Sequence, residues 1–152
     1  MASLVSVASA GSPSLTVSSS ANAALAEKVA VNAEGRTLYS LQGETTHHLL
    51  CKTSTCLHAW PPLTVPSRSV KLHLGKGVTG HLAVIRRANG TLQVTLRGMP
   101  LYRFSGDSKR GQANGEDIES FGGTWHAAAA SVGSSGAPAM PAPSPSESPY
   151  GY

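Results

Sequence analysis

The sequence predicts an all-β fold: a single small domain of two divergent β repeats, flanked by Pro/Ser/Gly-rich disordered tails. Three observations carry this. Two stretches of the chain match each other at a constant offset. The apolar residues alternate around Asn-Gly and Gly turns. No window sustains the 3.6-residue period of an amphipathic helix.

The repeat is read by setting VNAEGRTLYSLQGE (Val31–Glu44) beside VTLRGMPLYRFSGD (Val94–Asp107). Val31 matches Val94, Gly35 matches Gly98, Leu38 matches Leu101, Tyr39 matches Tyr102, Gly43 matches Gly106 and Glu44 matches Asp107, each at an offset of 63. Trp60 and Trp125 follow at an offset of 65. Two copies are too few for a solenoid. They point to two similar β units sharing one core, each supplying a Tyr and a Trp.

Taken along the chain, residues 1–23 are rich in Ser and Ala and are expected to be disordered. They bury too little apolar surface to offset the entropy of ordering. They also lack the features of a complete signal peptide, since the first basic residue is Lys28 and Ser, Gly and Pro interrupt the apolar residues. No cysteine stands where a lipobox would need one. The folded domain is expected over residues 24–130.

KVAVNAEGRTLYSL reads as a hairpin around Asn-Ala-Glu-Gly. LLCKTSTCLHAW has room for one helical turn before Pro61 ends it. HLAVIRR and TLQVTLR are two strands joined through Asn89-Gly90, and a second turn at Arg97-Gly98 leads into PLYRF. Gly106 to His126 is a Gly-, Asn- and Asp-rich loop. Residues 131–152, rich in Pro, Ser and Gly, are expected to form a disordered tail.

The formal charge of +4 conceals an asymmetry. Between Arg68 and Arg110 there are nine basic residues and one acid, Asp107. Such a stretch suits an anionic envelope polymer or lipid surface as partner. With Tyr102 and Phe104 as its only aromatics and no recognised reading motif, it does not suit a specific nucleic-acid site. No run approaches the ~20 apolar residues of a transmembrane segment.

The cysteines, Cys51 and Cys56, admit several readings. Haem attachment needs C-x-x-C-H, and the spacing here is C-x4-C. A structural zinc or copper site needs several soft ligands, for which His47, His48, Cys51, Cys56 and His58 are the candidates. An even cysteine count in a small, loop-rich chain favours a Cys51–Cys56 disulfide, which would also orient Trp60 toward the core. Asp107, Asn114, Glu116 and Asp117 offer oxygen ligands for calcium, but not at EF-hand spacing, and turn chemistry explains them without an ion. No G-x-S-x-G, H-E-x-x-H or Walker loop is present, so no catalytic residue, no enzymatic activity and no cofactor are expected.

PLYRFSGD contains Tyr102, Phe104 and Asp107 in the pattern Y-x-(F/W/Y)-x-x-D. Together with the two cysteines, WPPL and FGGTWH, it is similar to the bacterial secreted-repeat family, described as predicted lipoproteins with that motif. The resemblance covers about residues 29 to 128. The motif positions it marks are Tyr102, Phe104 and Asp107 in the second copy, Tyr39 and Glu44 in the first, and Trp60 and Trp125. Leu41 replaces the aromatic and Glu44 the aspartate in the first copy, which makes the second the better candidate for a ligand site. The resemblance implies export to the cell surface or periplasm and no particular activity. The resulting expectation is a non-enzymatic extracytoplasmic binding or envelope-structural protein, with a metal- or haem-handling envelope protein using the His/Cys cluster as the alternative.

Overall fold

The structure is a computed structural model that describes residues 13–132. The expected disorder of residues 1–12 and of residues 133–152 lies outside the described residues. In chain order the elements are β1 (Ser14–Asn22), β2 (Glu27–Val31), β3 (Tyr39–Leu41), α1 (Ser54–Ala59), β4 (Thr64–Val65), β5 (Lys71–Leu74), β6 (Leu82–Arg86), β7 (Leu92–Leu96), β8 (Met99–Pro100), β9 (Glu119–Ser120) and β10 (Gly123–Ala127). The strands form three small sheets, ordered β2-β1-β5, β3-β10-β9 and β4-β7-β6, with β8 added to β7. The all-β reading is confirmed.

The N-terminal boundary needs correction. Ser14–Asn22, read from composition as disordered, is the longest strand described, and it joins the domain. It pairs antiparallel with β2 from Ser18↔Val31 to Asn22↔Glu27, and parallel with β5 from Ser14↔Lys71 to Val17↔Leu74. Its serines masked a period-two signal: Leu15 and Val17 fall on one face, and Val17 is completely buried. β5 pairs its first half and β2 its second, which composition alone does not reveal.

The hairpins follow the turn chemistry. At the first turn Asn32 Oδ1 accepts from Glu34 N and Arg36 N, and Gly35 takes φ +79°. After the Val31↔Thr37 bridge the chain leaves this hairpin, and β3 pairs with β10 instead. β6 and β7 pair from Leu82↔Leu96 to Arg86↔Leu92 across the Asn89-Gly90 turn. Arg97 and Gly98 both take positive φ, 51° and 77°, as a tight turn between twisted strands requires. α1 starts at Thr53, whose side chain accepts from Cys56 N, and it stops at Trp60 ahead of Pro61.

The two copies pack reciprocally. Tyr39 N donates to Tyr102 O (2.7 Å) and Tyr102 N donates to Tyr39 O (2.9 Å). Leu63 N donates to Leu101 O (2.9 Å), and its counterpart Ala128 N donates to Leu38 O (2.8 Å). Each contact recurs with the copies exchanged, as in an isologous interface. One detail of the repeat shifts. Leu38 N bonds Ala30 O and Leu101 N bonds Val94 O, so Ala30, not Val31, is the structural counterpart of Val94. The first turn is one residue longer, and the strict offset ends there.

Two core clusters result. An aliphatic one gathers Leu38, Val94, Leu96 and Leu101 from the two copies, with Val17 of β1. An aromatic one gathers Tyr39, Trp60, Tyr102 and Trp125 with Leu41 and both cysteines. The second holds most of the residues singled out in the sequence.

Candidate functional site

Trp60 and Trp125 lie face to face at the centre of the aromatic cluster, 3.9 Å between ring centroids with planes 4° apart. Tyr39 meets Trp60 edge-on at 5.4 Å, and Tyr102 meets Trp125 edge-on at 5.0 Å. Both geometries suit the quadrupoles of the rings. Phe104 stacks on the outer face of Trp60 at 4.3 Å. In the first copy Leu41 stands at the matching position, opposite Trp125 in the β3–β10 ladder. Leu41 is buried, so the departure from the aromatic motif preserves an apolar contact. Gly115 is held small by these rings: a Cβ there would lie 2.7 Å from Trp60 and 3.0 Å from Tyr39.

The motif acids reach across to the other copy. Tyr39 of the first copy donates its hydroxyl to Asp107 Oδ2 of the second (2.5 Å). Tyr102 of the second donates to Glu44 Oε2 of the first (3.0 Å). Each acid also accepts a backbone N–H from its own copy at the corresponding place. Asp107 Oδ1 takes Asn114 N (2.9 Å), and Glu44 Oε2 takes Cys51 N (2.9 Å) and Leu50 N (2.8 Å). The copies thus form two crossed latches, with each tyrosine held by its partner copy's acid. Glu44 stands where the second copy has Asp107, and it reaches Tyr102 as Asp107 reaches Tyr39. Glu44 Oε1 is buried and has no hydrogen-bond partner among the described residues.

Arg87 closes the second latch. Its Nη1 donates to Gln93 Oε1 (2.6 Å) and to Tyr102 Oη (3.2 Å), and its Nη2 donates to the carbonyl of Cys51. Arg87, one of the nine basic residues between Arg68 and Arg110, does not belong to the basic surface: it is 5% exposed. The signal was available, because adjacent arginines at a strand end must face opposite ways and Arg86 took the solvent side. Gln93 and Gly115, both fully internal to the network, had no comparable signal.

Burial, and after it the charge of Glu44, pushes the Tyr102 hydroxyl up to about 12. Burial and the hydrogen bond to Asp107 raise Tyr39 further. Both hydroxyls therefore stay protonated and act as donors across the physiological range. Tyr39, Trp60, Tyr102 and Trp125 are at most 1% exposed, and Glu44 and Asp107 are 7% and 4% exposed. Apart from Glu44 Oε1, the polar atoms of the latches find their partners inside the core.

Cys51 and Cys56 form a disulfide with Cα atoms 5.5 Å apart. Both are completely buried, and their sulfurs are committed to each other. His47, His48 and His58 are exposed on the surface. The structure therefore does not assemble the five His/Cys candidates into a metal site. Among the described residues, the group of potential metal ligands that does converge is Glu116, Asp117 and His126. There His126 Nδ1 lies 3.0 Å from Glu116 and 3.4 Å from Asp117, and Glu116 also accepts Ala127 N. Of the four oxygen donors considered for calcium, Asp107 is consumed by its latch.

The geometry defines a class: a small, disulfide-stapled all-β domain in which two tyrosine-and-acid units clasp each other. Residues 83–129 match the model of a family described as a secreted repeat of unknown function. That stretch runs from β6 to just past β10 and contains Tyr102, Phe104, Asp107 and Trp125. No curated protein and no solved structure matches the chain. The family is described as secreted, and no described helix is long and apolar enough to cross a membrane.

Proposed function

We propose that the protein is a non-enzymatic extracytoplasmic binding or envelope-structural module, at the bacterial cell surface or in the periplasm, whose partner is an anionic component of the envelope. The observation that carries this reading is a division of labour in the polar side chains. The motif groups with chemical potential, Tyr39, Glu44, Tyr102 and Asp107, are spent inside the core on holding the copies together. Most of the cations are left outside, with Arg87 as the buried exception. Among the described residues no Lys or Arg lies within ion-pair distance of a carboxylate, and the close contacts of carboxylates with a basic side chain are those to the His126 ring. Lys71, Arg68, Arg86, Arg103, Lys109 and Arg110 are all exposed. Glu116 and Asp117, which stand near the basic stretch in sequence, lie against the His126 ring, at 3.0 Å and 3.4 Å, and not against a Lys or Arg.

Free surface cations favour association with polyanions, weakened as salt shortens the Debye length below about 10 Å. Cosedimentation of the full chain with wall polymer, anionic vesicles and duplex DNA at low and high salt tests the reading. Salt-sensitive binding to polymer or vesicles supports it. Absence of binding at low salt removes it, and tight binding that survives high salt points to a shaped site of another kind.

A further inference from the structure

We propose that an open groove at the Asn89-Gly90 end of the β4-β7-β6 sheet is the binding site for a linear, hydroxyl-rich polyanion of the anionic glycopolymer class. The inference rests on the reading of the protein as an extracytoplasmic binding module and assigns that reading a place. The groove encloses about 840 Å³ between residues 64–68, at and just after β4, and the β6–β7 hairpin. Its polar lining is Thr64, Ser67, Arg68, Arg86, Asn89 and Thr91, and no carboxylate lines it.

The two arginines are the centre of the argument. Arg86 is exposed and has no hydrogen-bond acceptor among the described residues. Arg68 rests one nitrogen on the carbonyl of Val84 at 3.4 Å, which brings its guanidinium over β6 two residues from Arg86. Its other donors stay available. Two planar guanidinium forks without carboxylates suit phosphodiester or carboxylate groups, which they bind bidentately. Around them stand neutral donors and acceptors suited to sugar or polyol hydroxyls. Asn89 Oδ1 is taken by Thr91 N (3.0 Å) and Thr91 Oγ1 (2.5 Å), which leaves the amide NH2 of Asn89 as a donor.

The same features disfavour the other polyanions. A membrane surface is flat, and peripheral proteins usually insert apolar side chains into it. Here the exposed large hydrophobics among the described residues are Leu74 and Val132, and neither lines the groove. Single-stranded nucleic acid is held by stacking on aromatic rings. No aromatic residue lines the groove, because those of this chain's described part are gathered in the core.

The test uses the full chain and two defined probes, poly(glycerol phosphate) and polygalacturonate, with dextran as the neutral control and phosphatidylglycerol vesicles as the membrane alternative. Titration calorimetry compares the native chain with R68Q/R86Q and with K109Q/R110Q, an exposed basic pair outside the groove. Unchanged thermal unfolding checks that each variant folds. Binding of at least one polymer, weakened about tenfold or more by R68Q/R86Q and less than about twofold by K109Q/R110Q, supports the site. The salt dependence of log K should also become shallower by about 1–2 in R68Q/R86Q, one increment for each phosphate that an arginine no longer neutralises. The two polymers separate phosphodiester from carboxylate recognition. Equal weakening by both variant pairs overturns the groove while leaving diffuse polyanion binding in place. Arginine-dependent binding to vesicles without binding to either polymer overturns it in favour of a membrane. If the native chain binds no probe at low salt, the anionic-partner reading falls along with the groove.

Discussion

Replacing Tyr39 by Phe removes one oxygen and leaves the ring, and so isolates what the first latch contributes. In the native protein that hydroxyl donates to Asp107 Oδ2 and accepts from Gly115 N (3.2 Å), in a completely buried position. Losing a hydrogen bond to a charged group costs roughly 1.5–3 kcal/mol, and a buried amide left without a partner costs about 1–3 kcal/mol more. The ring packing on Trp60 persists in the variant and moderates the loss. A total of about 3 kcal/mol is expected, or about 12 °C in Tm for a domain of this size. Tyr102→Phe should cost less, about 1–2 kcal/mol. Glu44 Oε2 retains Leu50 N and Cys51 N, and Arg87 retains Gln93 and the Cys51 carbonyl. Urea unfolding followed by tryptophan fluorescence reads both, because the Trp60–Trp125 stack is dispersed on unfolding. A Tyr39→Phe cost below about 1 kcal/mol, or a larger cost for Tyr102→Phe, would refute the reasoning.

Four further outcomes are expected. Alkylation without reduction, read by mass spectrometry on protein matured by its native route, should find no free thiol at Cys51 or Cys56. The C51A/C56A variant should lose about 2 kcal/mol in denaturant unfolding, the chain-entropy contribution of so short a loop. Trp125→Ala should cost about 3–5 kcal/mol in the same assay, since the ring is fully buried against Trp60. Alkali should unfold the domain through its tyrosines. Tyr39 and Tyr102 titrate near 10 when unfolded and higher when folded, so their contribution is intact below about pH 10 and declines as pH rises beyond it. Between about pH 10 and 12 the slope should approach 2.7 kcal/mol per pH unit, and either Tyr→Phe variant should roughly halve it.

Much of the fold was legible because local chemistry and repetition agreed. The Asn89-Gly90 and Arg97-Gly98 turns, the alternation of β6 and β7 and the turn of helix before Pro61 all lie where the residues indicate. β1 was not legible, because a strand whose outer face is serine resembles a disordered tail until its two neighbours are known. The repeat revealed which residues correspond, and Tyr39, Trp60, Tyr102 and Trp125 do occupy equivalent positions in one cluster. It did not reveal the crossing. A motif written as one tyrosine and one acid within a single copy suggests a local pair, whereas each acid holds the tyrosine of the other copy. Sequence spacing carries no information about that exchange, which depends on how the two units dock. The alternative His/Cys metal cluster is dispersed for a related reason: density along the chain places His47, His48 and His58 near the cysteines, but burial separates them.

A double-mutant cycle on Asp107 tests the crossed arrangement most directly. Asp107→Asn is combined once with Tyr39→Phe and once with Tyr102→Phe, and the stability of each variant is measured by denaturant unfolding. Groups in direct contact couple by about 0.5–3 kcal/mol, whereas groups without shared partners add to within about 0.5 kcal/mol. The crossed latches require a coupling of about 1.5 kcal/mol or more between Asp107 and Tyr39, and near-additivity between Asp107 and Tyr102. Strong coupling of Asp107 to Tyr102, with near-additivity toward Tyr39, would show that each motif closes on itself and would contradict the account.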